Sequence, residues 1–164
     1  MSDLPADARA LVLTASNRAA AGVYEDRSGQ ALADGLTQLG FDVEGPHVRR
    51  DDAAELEAVL RAAVDASFDV VLTTGGTGLS PTDVTPEATR AVIEREAPGI
   101  AEAVRRYGEA QVPTSVLSRG VAGTAGRTLI VNLPGSTGGV RDGLAVLAPL
   151  LPHVVSQLRG GDHG

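Results

Sequence analysis

Two stretches concentrate the residues able to hold an anion. Thr73-Thr74-Gly75-Gly76-Thr77-Gly78 leads on to Asp83, and Asn132-Leu133-Pro134-Gly135-Ser136-Thr137-Gly138-Gly139 repeats the same chemistry later in the chain. Glycine lets a backbone approach a ligand closely, and consecutive amides can cradle phosphate oxygens. Thr74, Thr77 and Ser136 add hydroxyl donors. One such loop alone is more simply read as a tight turn. Two of them, each closing an apolar run, favour a ligand site. Neither contains the Walker or dinucleotide fingerprint.

Asp83 lies within the first loop. Thr85, directly before Pro86, is expected to cap the next helix, which leaves Asp83 free to face a ligand. Asp51 and Asp52 follow an earlier strand-like stretch. One of that pair is expected to cap a helix, and the residues leave open which one. Carboxylates beside a phosphate cradle suit magnesium, which takes one or two carboxylates together with phosphate oxygens and water. All 14 basic residues are arginine, so P-loop, Schiff-base and general-base lysines are excluded. Arg119 and Arg127 are the candidate loop cations, with Ser118 beside the first; Asp26, Arg27 and Ser28 follow the first strand. With no cysteine, thiolate and disulfide chemistry is absent. His47, His153 and His163 lack metal-ligand spacing; His153 reads as a helix-surface residue and His163 as tail.

The hydrophobic pattern supplies the elements that must position these loops. ALVLTAS (10–16), FDVVLTT (68–74) and TLIVNL (128–133) read as buried strands, and FDVEGPHV (41–48) alternates like a strand interrupted at Gly45-Pro46. Leu32, Leu36 and Leu39 share one face of a helix over 28–39; Leu56, Val59, Leu60 and Ala63 stripe another. A helix after Thr85 carries Ala88, Val92 and Ile93 and stops before Pro98, and a further one runs from about Gly99 to Ala110. The last, from near Val140, carries Leu144, Leu147, Leu151 and Val155, with Pro149 and Pro152 kinking or dividing it. Residues 1–8 are polar and expected to fray. The alternation of strand and helix predicts an α/β three-layer sandwich with a mostly parallel central sheet. It is read as a single domain over 1–164, with its core at about 9–158. In such sheets ligands sit beyond the carboxyl ends of the strands, where both glycine loops and the aspartates fall.

Composition sets limits on function. With 43% hydrophobic and 21% charged residues the chain is globular. Its aromatics are Tyr24, Phe41, Phe68 and Tyr107 alone, and its net charge is −7. A stacking platform for nucleic acid and a polyanion-binding surface are both excluded. A small phosphate ligand is not. The start MSDLPADARA has no apolar signal segment and no run is long enough to span a bilayer. The expectation is a soluble, cytoplasmic protein with neither nucleic-acid nor membrane partners.

AGVYEDRSG (21–29), TTGGTG (73–78), DVTPEAT (83–89), LSRGVAG (117–123) and LIVNLPGS (129–136) together resemble, in that order, the MoaB/Mog family of molybdenum cofactor biosynthesis. The resemblance spans about residues 9–158. It implies a pterin-binding α/β fold and a homotrimer, with a homohexamer as the alternative. It also implies magnesium-dependent adenylylation of molybdopterin by ATP, releasing pyrophosphate; a molybdopterin-binding protein without transferase activity is the alternative. The family's two functional aspartates, catalytic and metal-binding, carry over to Asp83 and to Asp51, with Asp52 still open as the second. Ligand binding carries over to Thr74, Gly75, Gly76, Thr77 and Gly78, to Ser118 and Arg119, and to Pro134, Gly135 and Ser136. Mg2+ is the implied cofactor, molybdopterin and ATP the substrates, and other cofactor-biosynthesis proteins the implied partners. The chain departs from the family's usual residue at Asn17, Arg50 and Thr137.

Overall fold

A computed structural model describes residues 3–161; His163 lies outside them. Four parallel strands form the centre: β1 (Arg9–Ala15), β2 (Asp42–Arg49), β3 (Val70–Thr74) and β6 (Thr128–Leu133). Two short strands, β4 (Arg95–Glu96) and β5 (Ala122–Ala125), extend the sheet antiparallel beyond β6. The order is β2-β1-β3-β6-β5-β4. The sheet is mostly parallel, as expected. The β5–β6 hairpin, turning at Gly126-Arg127, is the departure from simple strand–helix alternation.

The period-two alternation of the strands feeds two cores. Ala10, Val12, Val70, Leu72, Leu129, Val131 and Leu133 point to one face, while Leu11, Leu13, Ala15, Val71 and Ile130 point to the other. The first face is covered by α2 (Arg27–Leu39), α5 (Pro98–Glu109), α6 (Thr137–Leu147) and α7 (Leu151–Leu158). The second is covered by α3 (Ala53–Asp65) and α4 (Thr85–Arg90). A four-residue α1 (Asn17–Ala20) and a 3-10 turn over Pro113–Leu117 complete the elements. Burial on both faces explains why the central strands are continuous apolar runs. Leu32, Leu36, Leu56 and Leu60 are fully buried; each such side chain contributes about 1.5–3 kcal/mol of transfer free energy.

The helix after Thr85 and the amino-terminal segment differ from expectation, while the division of the last helix at its prolines holds. The segment after Thr85 is helical only to Arg90, because the chain goes on to the edge strand Arg95–Glu96, whose flanking amides at Glu94 and Ala97 donate to Thr124 O and Ala122 O. Pro149 and Pro152 divide the last helical stretch into α6 and α7. Residues 4–8 do not fray: Leu4 packs on the core, Ala8 is buried, and the Asp7 carboxylate accepts from Arg159 Nη1 at 2.8 Å. Arg159 also grips the buried Asp69 through Nε and Nη2, at 2.8 and 2.9 Å. That cluster sits at the amino ends of the strands, the edge opposite the glycine loops. No helix among the described residues is long and apolar enough to cross a membrane.

Candidate active site

Strand β1 leads outward to β2 on one side and has β3 on the other. The chain therefore reverses its winding direction between β1 and β3, and a crevice opens there at the carboxyl edge. A cavity of about 700 Å³ occupies it, lined among others by Thr14, Ser16, Tyr24, Asp26, Asp51 and Asp83. Thr74, Gly75, Gly76 and Gly135 form its floor.

The floor requires glycine. Gly75 has φ +91° and Gly76 φ +69°, conformations that cost a side-chain-bearing residue energy. A Cβ on Gly75 would also collide with the Ala15 carbonyl, and one on Gly76 with the Thr85 hydroxyl. The loop is stapled from both sides. The Thr85 hydroxyl donates to Gly75 O at 2.9 Å, its amide donates to Gly76 O at 3.2 Å, and the Thr74 hydroxyl donates to Pro134 O at 2.7 Å. Thr85 is thus not the helix cap expected of it. Val84 holds that position without a side-chain bond, and the Thr85 hydroxyl goes to the carbonyl that the left-handed Gly75 turns toward it. Among the described residues, the amides of Gly76, Thr77 and Gly78 have no protein acceptor, nor do those of Gly135, Ser136, Thr137 and Gly138. Both loops present rows of free donors.

The structure separates Asp51 from Asp52. Asp52 Oδ1 accepts from Glu55 N at 3.0 Å and caps α3. Asp51 turns instead toward the glycine floor: a Cβ on Gly76 would lie 3.2 Å from its Oδ1. Asn17 holds it in a two-point pair, accepting from Asp51 N at 2.9 Å and donating from its own amide to Asp51 Oδ2 at 3.2 Å. Asp51 Oδ1 is buried with no hydrogen-bond partner. Burial first, and then the nearby Asp83, push the Asp51 carboxyl above the ordinary carboxylate range, although the Asn17 amide opposes this. Asp83 closes a turn, accepting from Ser80 N at 3.1 Å through Oδ2, and this oxygen lies 2.8 Å from where a Gly78 Cβ would be. The two carboxylates therefore flank the Gly76–Gly78 loop. Among the described residues no three acidic or histidine side chains form a self-sufficient metal cage. Two carboxylates with one orphaned oxygen beside free amides fit a divalent cation that takes its remaining ligands from phosphate and water.

The other expected residues divide between this cavity and a second one of about 490 Å³ on the far side of the loops. Thr77, Gly78, Ser118, Pro134 and Ser136 line the second cavity, alongside Val112, Leu117 and Arg141. Ser136 caps α6, accepting from Gly139 N at 3.0 Å. Arg119 lines neither cavity; its guanidinium is turned onto the protein. Arg127 follows Gly126 in the β5–β6 hairpin, at the opposite edge, where its charge acts on Asp7 and Asp69. Tyr24 and Thr14 were not singled out by the sequence, and Asn17 was noted only as a departure from the family's usual residue. The Thr14 hydroxyl donates to Asp26 at 2.7 Å, and the Tyr24 and Ser16 hydroxyls are 3.0 Å apart. Asn17 meets Asp51 across 34 positions of sequence, and no local pattern signals such a pair.

With this geometry in hand, a family model described as "Probable molybdopterin binding domain" matches residues 11–153. The chain belongs to that family. A molybdopterin-binding-domain relative from Helicobacter pylori J99, named molybdopterin adenylyltransferase, is 38% identical over 154 residues; the match covers 91% of this chain and 86% of that protein. A bifunctional molybdenum cofactor biosynthesis protein of Chlorobaculum tepidum is 36% identical over 94% of this chain. The chain spans about half the length of that relative, 50%. The solved structure of the molybdopterin biosynthesis Mog protein from Mycobacterium ulcerans is 53% identical, with TM-score 0.88, covering 92% of this chain and 99% of that one. The three-layer arrangement with its mostly parallel sheet is thus the fold of the molybdopterin-binding-domain family.

Proposed function

We propose that this chain adenylylates molybdopterin with ATP, releasing pyrophosphate. The observation that carries the reading is one shelf of glycine loops with a cavity on each side, the first rich in carboxylates and the second with Asp142 alone, balanced by Arg141. Asp51 and Asp83, both lining the first cavity, support its reading as the site of a metal-bound triphosphate. The second, with Val112, Leu117 and Pro134 beside hydroxyls and Arg141, suits a flat, partly apolar pterin bearing a phosphate. Its relatives' names support the same chemistry.

In this reading the terminal phosphate oxygen of the pterin attacks the α-phosphorus of ATP. One O–P bond forms, the bond to the β-phosphate oxygen breaks, and pyrophosphate leaves. Free amides of Gly76, Thr77 and Gly78, and of Gly135 to Gly138, hold the phosphates in line, so that positioning supplies most of the acceleration. A magnesium ion held by Asp51 and Asp83 would neutralise the triphosphate and its leaving group. The attacking phosphate is already ionised at neutral pH, so the site needs no general base, in keeping with the absence of lysine and of a histidine in either cavity.

The reading extends to a homotrimer, with a homohexamer as the alternative. Tyr107 and Val116, each about half exposed and lining neither cavity, would give such an assembly an apolar contact. ATP as co-substrate favours the cytoplasm. The test is incubation of the purified protein with molybdopterin, ATP and Mg2+, followed by chromatography for adenylylated pterin and pyrophosphate. Product is expected, and Asp83→Asn is expected to abolish it while pterin still binds. Bound pterin without product from the parent protein overturns the transferase reading and leaves a binding protein.

A further inference from the structure

Arg119 reaches across 36 positions to the Asp83 segment yet touches neither cavity. Its Nε donates to Gly78 O at 2.8 Å and its Nη2 to Asp83 O at 2.8 Å. Its Nη1 donates to Glu87 Oε2 at 2.7 Å, with Nη2 to Glu87 Oε1 at 3.3 Å. The Arg119 amide donates to Thr77 O at 2.7 Å. One residue thus binds the start of the loop at Thr77 and Gly78, its end at Asp83, and helix α4 at Glu87. The fork is two-pronged on the carboxylate, a geometry that lysine cannot reproduce.

The consequence concerns Asp83. Its carboxylate lines the cavity at the end of a turn whose internal ties are Asp83 N to Ser80 O at 2.9 Å, Ser80 N to Asp83 Oδ2, and the Ser80 and Thr82 hydroxyls 3.1 Å apart. Nothing in that turn fixes its distance from Asp51, which rides on the β2–α3 connection and is anchored to Asn17. The clasp from Arg119 does. It fastens both ends of the turn to a rigid helix that is itself stapled to the glycine floor through Thr85.

We infer that Arg119 and Glu87 form a positioning pair that sets the separation of Asp83 from Asp51, and so the affinity of the site for a divalent cation on a nucleotide. The inference rests on the reading of Asp51 and Asp83 as the metal-binding carboxylates. Groups that orient a metal ligand typically change affinity by about 10–100-fold when removed. Glu87 is the informative position, being half exposed and lining neither cavity.

The experiment is Mn2+ binding in the presence of α,β-methylene-ATP, read by the electron paramagnetic resonance of free Mn2+. It is run on parent, Asp83→Asn, Arg119→Lys and Glu87→Gln, with circular dichroism confirming that each variant is folded. Arg119→Lys is expected to weaken Mn2+ by about tenfold and Glu87→Gln by a smaller factor in the same direction. The pterin affinity of Glu87→Gln should stay at the parent value. If Asp83→Asn loses Mn2+ while both clasp variants keep it, the positioning pair is refuted and the metal assignment stands. If Asp83→Asn binds Mn2+ like the parent, the metal assignment itself fails and takes the inference with it. Weaker pterin binding in Arg119→Lys, with Mn2+ unchanged, would make Arg119 a substrate contact and overturn the inference.

Discussion

Asp51→Asn should stabilise the protein while disabling it. The substitution keeps the volume and shape of the side chain, and its oxygen can still accept from the Asn17 amide. What it removes is a negative charge whose Oδ1 is buried without a donor and which faces Asp83. The amide leaves that position without a partner, as before, so the gain is the lifted desolvation and repulsion of the charge; discounted because the group borders an open cavity, it is about 1 kcal/mol. For a chain of this length that gain raises Tm by about 2–4 °C. The sign follows from linkage. Burial and Asp83 hold the folded-state pKa of Asp51 above its unfolded value, so its contribution is most favourable at low pH and is lost as pH rises through the folded pKa. The variant's advantage should therefore be full at pH 7 and vanish below about pH 4, where the parent carboxyl is protonated in both states. Scanning calorimetry at several pH values reads this directly, and magnesium with nucleotide should raise the Tm of the parent but not of the variant. A variant less stable than the parent at pH 7, or an advantage that persists at low pH, would refute the account of Asp51 as an uncompensated charge.

Arg159→Ala strands Asp69, which is 1% exposed, and should cost about 3–5 kcal/mol in urea unfolding. Burial alone would raise Asp69, but the Arg159 and Arg9 hydrogen bonds hold it below its ordinary range. The parent's advantage from this pair is therefore present at neutral pH and lost as pH falls below about 4. Gly75→Ala forces a side chain into φ +91° and against the Ala15 carbonyl; a loss of about 1–3 kcal/mol or more, with abolished nucleotide binding by calorimetry, is expected. Thr85→Val deletes the hydroxyl staple to Gly75 O and should cost about 0.5–1.5 kcal/mol while raising KM for both substrates. An unchanged KM there would show that the floor holds its shape without α4.

The central strands and the placement of the glycine loops were legible because parallel sheets demand long apolar runs, and because ligand loops follow such strands at one edge. The β5–β6 hairpin and the two-residue β4 were not. AGTA and RE are too short and too mixed to carry a period, and their pairing is decided by the sheet edge they complete. Among the site residues, the chemistry of Asp83 and Gly75 to Gly78 could be read locally. The choice between Asp51 and Asp52 could not, since adjacent aspartates have equal capping propensity. It is settled by Asn17, far away in sequence, which takes hold of the first and leaves the second to Glu55 N. Arg119 shows the reverse failing. A lone loop arginine near a phosphate site invites a phosphate-binding reading, yet its partners are carbonyls and a carboxylate that only the folded loop brings together.

The ion pair between Asp7 and Arg159 brings the two ends of the described chain side by side, at the edge of the sheet farthest from the cavities. A polypeptide whose entry and exit coincide on its rear side behaves as a cassette. A tether, a tag or a neighbouring domain joined at either end hangs behind the sheet, and the two cavities keep an unobstructed approach. The same geometry suits the domain to insertion within a longer polypeptide, since its first and last described segments lie side by side.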